Sequence, residues 1–336
     1  MNIENQQNLL QVEGLRTVFE TRAGTVCAVD GVNVTVRRGE CLGVVGESGS
    51  GKSVTFGSVM GLIRSPGRID AGRILFDGKD LRELDARQMR AIRGRDIAMT
   101  MQDALTALNP ALTVGEQLAE VMEAHDGDLP TGRSARKRAI RERSAEMLGL
   151  VGIPSPDTRL RQYPHEFSGG MRQRIMIAIA LASRPRLLIA DEPTTALDVT
   201  IQAQVLELIS DIRAKLGMSV VLITHDLGVV SEYCDRVMVM YAGQIVEQGA
   251  TADVVCRPKH PYTKGLLGSL PRLSLRGQAI NPIEGQVPEL INLPKQCRFY
   301  SRCRERAPEC LQVIGMQDAG NGQFARCIRV KGEDIK

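Results

Sequence analysis

Four short apolar runs divide the chain. Residues 41–45, 97–101, 187–190 and 219–223 are almost uninterrupted in Val, Ile, Leu, Met, Ala and Gly. Runs of this length without alternation are typical of strands that are buried on both faces. We expect them to be strands of a doubly wound sheet, whose ligands bind at the carboxyl ends of the strands.

Other segments alternate between apolar and polar residues or follow a helical period. Strands are predicted over residues 9–19, 26–36, 74–76, 237–241 and 244–248. Helices are predicted over residues 53–63, 113–164 and 171–183. Thr113 with Glu116 three positions later is a capping pair, which places the start of a helix there.

Composition adds limits to this picture. The chain has 336 residues, of which 43% are hydrophobic and 3% aromatic, and a formal charge of +4. The length predicts two or three subdomains. The mild basic excess lies after residue 250, and the scarcity of aromatic rings argues against stacking on single-stranded nucleic acid. We therefore expect no nucleic-acid partner.

No membrane or secretory segment is expected. The first residues lack a basic and then apolar signal pattern, and no run reaches the 18 apolar residues of a membrane span. We expect a cytoplasmic protein that meets a membrane only through a partner. In that reducing compartment, the eight cysteines should be thiols or metal ligands rather than disulfides.

A glycine-rich stretch follows the first apolar run. Residues 46–53 have the spacing G-x-x-x-x-G-K-S of a phosphate-binding loop between a strand and a helix. Backbone N–H groups of such a loop surround phosphates, the lysine reaches the β- and γ-phosphates, and the serine binds Mg²⁺. The expected nucleotide-binding residues are Gly46, Ser48, Gly49, Ser50, Gly51, Lys52 and Ser53.

Polar residues end two of the other apolar runs. Asp191 and Glu192 end the third, and His225 follows the fourth. Asp191 suits the Mg²⁺ shell, Glu192 suits orienting or deprotonating a water, and His225 suits contact with the γ-phosphate. Ser168, Gly169 and Gly170 precede a helix and form a second possible anion site.

These motifs resemble, in order and spacing, the ATP-binding subunit of ABC transporters. The resemblance covers about residues 9–250. It makes Gln102 the Q-loop glutamine, a Mg²⁺ ligand and catalytic residue, and residues 167–171 the signature, which reads Phe-Ser-Gly-Gly-Met in place of Leu-Ser-Gly-Gly-Gln. Residues 196–198 resemble the D-loop. Phe19 is a candidate for contact with adenine, although a place in a small apolar core fits it equally well.

The family implies an α/β fold with a RecA-like P-loop ATPase core. An antiparallel β subdomain and an α-helical subdomain at about 103–165 complete an ATPase domain over 9–255. A small C-terminal domain with cysteines would span 256–336. The resemblance also implies a head-to-tail dimer, in which ATP on one subunit is covered by the signature of the other.

Two stretches resemble dipeptide and oligopeptide importers in particular. They are residues 191–204 and the His260-Pro261-Tyr262-Thr263 motif. In these importers the C-terminal region carries cysteines, and the resemblance implies that four of them hold a [4Fe–4S] cluster: Cys297, Cys303, Cys310 and Cys327. Zn²⁺ and free thiols stay open as alternatives, although zinc prefers closer pairs of cysteines. The other four cysteines are expected to be small core residues.

The resemblance thus implies an ATPase subunit of a peptide importer at the cytoplasmic face of the cell membrane. Its partners would be a second, paralogous ATPase subunit, two permease subunits and, indirectly, an extracytoplasmic substrate-binding protein. An importer for nickel or another small solute is the first alternative. A soluble ABC ATPase of DNA repair or translation is the second, and a metal-storage or redox module is the third.

Overall fold

The computed structural model describes residues 7–102, 104–125, 127, 129–195, 197–269 and 283–330. The chain divides into two compact units: residues 1–82 with 222–336, and residues 83–221. The division falls within β8. The strands are β1 (Asn8–Thr21), β2 (Gly24–Arg37), β3 (Cys41–Val45), β4 (Gly67–Phe76), β5 (Lys79–Asp80), β6 (Ile97–Thr100), β7 (Leu187–Asp191), β8 (Ser219–Thr224), β9 (Arg236–Tyr241), β10 (Gln244–Ala250), β11 (Gln317–Asp318) and β12 (Phe324–Ala325).

Helices connect these strands. They are α1 (Lys52–Val59), α2 (Ala86–Ile92), α3 (Ala104–Ala107), α4 (Val114–His125), α5 (Arg133–Leu150), α6 (Pro156–Arg159), α7 (Gly169–Leu181), α8 (Val199–Leu216), α9 (Leu227–Tyr233), α10 (Thr251–Cys256) and α11 (Pro261–Gly268). Short 3₁₀ turns add Leu81–Glu83, Pro164–Glu166, Tyr300–Arg302 and Pro308–Leu311.

The first unit contains an antiparallel sheet of order β2-β1-β4-β5. Its inner face is a row of buried aliphatic side chains, among them Leu10, Val12, Val32 and Val34. β4 begins at Gly67, seven residues before the strand predicted over residues 74–76. Residues 67–73 are mostly exposed, so this part of β4 lacks the apolar alternation by which a strand is recognised.

The same unit holds the strand that leads to the phosphate loop. Buried β3 pairs in parallel with β9, with Leu42 opposite Arg236 and Val45 opposite Val239. The strands predicted over 237–241 and 244–248 correspond to β9 and β10, which form an antiparallel hairpin, and β12 continues the sheet on β10. The C-terminal region is thus joined by backbone hydrogen bonds to the layer that carries the phosphate loop.

The second unit combines parallel strands with helices. β6 pairs in parallel with β7, from Ile97 opposite Leu187 to Thr100 opposite Ala190. The stripe Val114, Leu118 and Met122 of α4 is fully buried, as its spacing of four residues predicts. Helices α3 to α6 lie within the segment 103–165, and Thr113 with Glu116 forms the predicted capping box.

Some predicted boundaries are wrong. α1 ends at Val59 rather than at residue 63, because Gly61 adopts the left-handed conformation (φ 59°) that closes a helix. The expectation that four scattered cysteines are core residues holds for Cys41 and Cys234, which are buried with sulfurs 3.6 Å apart. It is wrong for Cys256, which is exposed at the end of α10.

Candidate functional site

The phosphate loop connects buried β3 to α1. Within it, Lys52 is only 5% exposed, and its ammonium group donates to the carbonyl oxygens of Gly46 (2.7 Å) and Glu47 (3.1 Å). The loop therefore curls around the lysine, and the N-terminus of α1 faces the same turn. Ser48, Gly49 and Ser53 are exposed, whereas Gly46, Ser50 and Gly51 are buried.

Two glycines of the loop are required for different reasons. Gly51 has φ 98°, and a Cβ there would also overlap the carbonyl oxygen of Ala28. Gly49 has φ 76° but open space where its Cβ would be. The first position is restricted by conformation and packing, and the second by conformation alone.

The C-terminal region reaches the phosphate loop through Glu47. The backbone N–H of Glu47 donates to the hydroxyl of Tyr262 at 2.9 Å. The guanidinium of Arg302 binds both carboxylate oxygens of Glu47, at 2.6 and 3.0 Å. The carboxylate raises the pKa of Arg302 above its ordinary value. Sequence reasoning placed neither residue next to Glu47, since 215 and 255 positions separate them from it.

His260 and Tyr262 explain the His-Pro-Tyr-Thr motif. His260 caps α11, with Nδ1 accepting from the N–H of Tyr262 at 3.0 Å. Burial, with Arg326 and Lys264 nearby, lowers the pKa of His260 to about 3, so the ring is neutral. Tyr262 is fully buried, and burial raises its pKa. The motif contacts the phosphate loop through the hydroxyl of Tyr262, which accepts from the N–H of Glu47.

The two acids at the end of β7 occupy different environments. Asp191 is the last strand residue and is 6% exposed. Glu192 lies beyond the strand with φ 45°. Its Oε2 accepts from Gln102 Nε2 (3.0 Å) and from Thr195 Oγ1 (2.9 Å). The sequence indicated Gln102 and Glu192, but Thr195 was missed as a partner.

The signature residues form a helix start. Ser168 is the N-cap of α7, and its hydroxyl accepts from the N–H of Met171 at 3.4 Å. Ser168 and Gly169 are exposed, and a Cβ on Gly170 would lie 2.7 Å from Ile201. Phe167 is buried beneath the guanidinium of Arg159, so the residue that replaces the usual leucine is a core residue.

His225 and Phe19 belong to the first unit. His225 is exposed directly after β8, and the next residue, Asp226, caps α9. Phe19 is half-buried in β1 opposite Gly67. A Cβ on Gly67 would overlap the ring of Phe19, so the ring packs directly on the backbone of β4. The contact of Phe19 with adenine stays a prediction. Of the D-loop residues, Ala196 lies outside the described residues, and Asp198 caps α8.

The four C-terminal cysteines converge. Cys297, Cys303, Cys310 and Cys327 line one small cavity together with His260 and Phe299. The N–H of Cys297 donates to the carbonyl oxygen of Cys310 at 2.9 Å. Burial and the neighbouring thiols raise the pKa of Cys297 to about 11. Among the described residues, however, no three His, Cys, Asp or Glu side chains are arranged to hold a metal ion.

Two family models match the chain. The ABC transporter model matches residues 29–195, and the model of the oligopeptide/dipeptide transporter C-terminal region matches residues 246–310. Within the part of the chain that the structure describes, no helix has the length and apolar character needed to cross a membrane.

Two relatives of known name align with nearly the whole of this chain. The dipeptide transport ATP-binding protein DppD of Bacillus subtilis is 53% identical over 91% of this chain and 90% of its own. The oligopeptide transport ATP-binding protein OppD of Salmonella typhimurium is 46% identical over 96% and 93%.

Solved structures confirm the predicted fold class. The ATP-binding cassette MJ0796, in a dimeric post-hydrolysis state with ADP and phosphate, matches with a TM-score of 0.62 and 26% identity over 72% of this chain and 98% of its own. CbiO1 of Clostridium perfringens matches with a TM-score of 0.63 and 29% identity over 75% and 92%. The chain belongs to the ATP-binding subunits of ABC transporters, in the group of dipeptide and oligopeptide transport ATP-binding proteins.

Proposed function

We propose that this chain hydrolyses ATP to power an ABC importer for dipeptides or oligopeptides. The observation that carries the proposal is its similarity, at 53% identity over 91% of the chain, to a dipeptide transport ATP-binding protein. The match to the oligopeptide/dipeptide C-terminal model supports the peptide cargo over nickel or another solute. The ABC model over residues 29–195 supports the ATPase activity.

The proposed chemistry assigns one role to each group of residues. The loop 46–53 binds the phosphates, with Lys52 reaching the β- and γ-phosphates. Ser53, Gln102 and Asp191 would hold Mg²⁺, which would offset the negative charge of the phosphates. Phe19 would contact the adenine.

Glu192 is the proposed general base. Its Oε2 accepts hydrogen bonds from Gln102 and Thr195, which orient the carboxylate for a role as general base toward a water molecule. His225 would contact the γ-phosphate. A link between Gln102 and Glu192 also connects the start of the helical segment to the reacting group.

A dimer completes the proposed site. Ser168, Gly169 and Gly170 of a second subunit would cover the ATP, since their exposed helix start offers N–H groups to an anion. The dimeric state of the related cassette with ADP and phosphate supports this arrangement. The second subunit is proposed to be a paralogue. Two permease subunits and a substrate-binding protein would complete the importer, with this chain peripheral on the cytoplasmic face of the membrane.

The cysteines carry a separate part of the proposal. Four thiols around one cavity are a donor set that suits a [4Fe–4S] cluster. A single Zn²⁺ ion is the alternative, although zinc prefers closer pairs of cysteines than these. Anaerobically purified protein should contain iron that Cys303→Ser lowers, whereas Cys256→Ser, at an exposed cysteine, leaves it unchanged. If neither the parent chain nor Cys256→Ser contained iron, the assignment of a [4Fe–4S] cluster would be refuted.

Reconstitution tests the transport function. The chain is purified with its co-expressed permease subunits and paralogue and placed in vesicles with labelled dipeptide and, in separate samples, nickel. We expect ATP-dependent dipeptide movement that Lys52→Ala abolishes. Movement of nickel alone would reassign the cargo, and co-purification with ribosomes or DNA in place of permeases would reassign the protein to the soluble ABC ATPases.

A further inference from the structure

Glu47 introduces a negative charge into a loop that must bind an anion. It is the second residue of the phosphate loop, and its side chain is partly exposed. An uncompensated carboxylate there would repel a triphosphate, because like charges at short range disfavour each other. The guanidinium of Arg302 is placed to offset it, with two parallel hydrogen bonds of 2.6 and 3.0 Å to the carboxylate.

Arg302 is held rigidly for this contact. Its side chain is only 4% exposed. The guanidinium also donates to the carbonyl oxygens of Glu284 (2.9 Å) and Ile283 (3.2 Å) and lies over the ring of Tyr241. A fixed planar fork loses less entropy when it binds a carboxylate than a mobile lysine would. These contacts orient Arg302 toward Glu47.

A second arginine of the cysteine segment (residues 297–327) binds next to a residue that contacts the phosphate loop. Arg298 donates to the carbonyl oxygen of Ala242 and forms an ion pair with Asp30. The residue after Ala242, Gly243, donates its N–H to the carbonyl oxygen of Ser50 in the phosphate loop at 2.9 Å. Arg298 directly follows Cys297, and Arg302 directly precedes Cys303. Both arginines therefore depend on the fold of the segment around these cysteines.

We propose that Arg302 is a positioning residue of the nucleotide site, which neutralises and fixes Glu47 so that the phosphate loop can accept a triphosphate. The C-terminal cysteine segment is then a functional part of the ATP site. This inference rests on the proposed function only in that ATP binds the loop 46–53.

Charge-removing variants of the full chain test the pair. Arg302→Gln should raise the Kd for Mg·ATP about tenfold, equivalent to about 1.4 kcal/mol. Glu47→Gln should bind at least as tightly as the parent chain, because the repelling charge is gone and the new amide oxygen can still accept a hydrogen bond from Arg302. The double variant should recover most of the affinity that Arg302→Gln loses, as expected for directly coupled residues.

Controls separate this role from a purely structural one. Arg304→Gln removes a neighbouring arginine, whose side chain is 70% exposed, and should leave the Kd unchanged. Thermal unfolding is recorded for every variant. A purely structural role predicts that Arg302→Gln lowers the melting temperature and that Glu47→Gln does not restore the Kd.

The outcomes decide the inference. An unchanged Kd for Arg302→Gln, or a loss that Glu47→Gln does not relieve, overturns it. Lys52→Ala, measured in parallel, tests the binding site itself. If Lys52→Ala loses Mg·ATP while Arg302→Gln does not, the proposed function stands and the role of Arg302 fails. If Lys52→Ala keeps parent affinity, the nucleotide site itself is refuted.

Discussion

Gln102 and Glu192, 90 positions apart in sequence, are joined by a hydrogen bond of 3.0 Å between Gln102 Nε2 and Glu192 Oε2. The contact arises because β6 and β7 are parallel neighbours whose carboxyl ends meet at one edge. The residues just beyond each strand therefore face the same space. This arrangement places the proposed general base in contact with Gln102, the residue directly before the helical segment.

Removal of the charge on Glu192 should separate binding from turnover. Glu192→Gln keeps the size of the side chain and its acceptor oxygen, so we expect Mg·ATP affinity within about twofold of the parent chain. Loss of a general base should reduce ATP turnover by about 10²- to 10⁴-fold. Phosphate release and ATP-dependent dimerisation measure the two effects. Glu207→Gln, at an exposed acid on α8, is the control, and normal hydrolysis by Glu192→Gln would remove the residue from the mechanism.

The hydroxyl of Thr195 should contribute to catalysis by orienting the carboxylate of Glu192. Thr195→Val keeps the shape but removes the hydroxyl that donates to Glu192 Oε2 at 2.9 Å. We expect kcat to fall about three- to tenfold, as for the loss of one hydrogen bond of about 1 kcal/mol, with little change in KM. Thr195→Ser retains the hydroxyl and should keep most of the activity. Equal losses in the two variants would show that the hydroxyl is not responsible.

The two loop glycines should differ in their response to alanine. At Gly49 the cost is conformational, about 1–2 kcal/mol, because an L residue is forced into the left-handed region. At Gly51 the same cost is joined by overlap with the carbonyl oxygen of Ala28. Urea unfolding should therefore show a larger loss of stability for Gly51→Ala than for Gly49→Ala. Equal losses would mean that the loop shifts to relieve the overlap.

Stability should depend on pH through His260. Its pKa in the folded protein, about 3, lies below the ordinary value of 6.5, so the neutral ring is favoured by folding. The stabilisation is complete above about pH 6.5 and declines as the pH falls toward 3, by up to about 1.4 kcal/mol per unit.

His260→Asn provides the comparison. Asparagine cannot titrate, but its side-chain oxygen can still accept from the N–H of Tyr262 and cap α11. The free energy of unfolding, measured in urea at pH 7, 6 and 5, should fall less steeply for this variant than for the parent chain. The same slope in both proteins would assign the acid sensitivity to other groups.

Much of the site could be predicted from local signals. The glycine spacing of residues 46–53 identifies a phosphate loop, because glycine adopts the left-handed conformation at Gly49 and Gly51 without the steric cost of a side chain. Asp191 and Glu192 were recognisable because carboxylates rarely end a buried apolar strand unless they bind a cation or a proton. Residues 67–73 of β4 were not predicted as strand, because they are mostly exposed and carry no apolar period.

The sequence by itself determined the chemistry that depends on short spacing: the phosphate loop, the strand-end acids, the helix caps and the family to which they belong. Only the tertiary structure decided which distant groups meet, such as Arg302 with Glu47 across 255 positions. The physical reason is the range of each effect. Backbone conformation and hydrophobic period act over a few neighbouring residues, whereas an ion pair needs two side chains that only the completed fold brings within hydrogen-bonding distance.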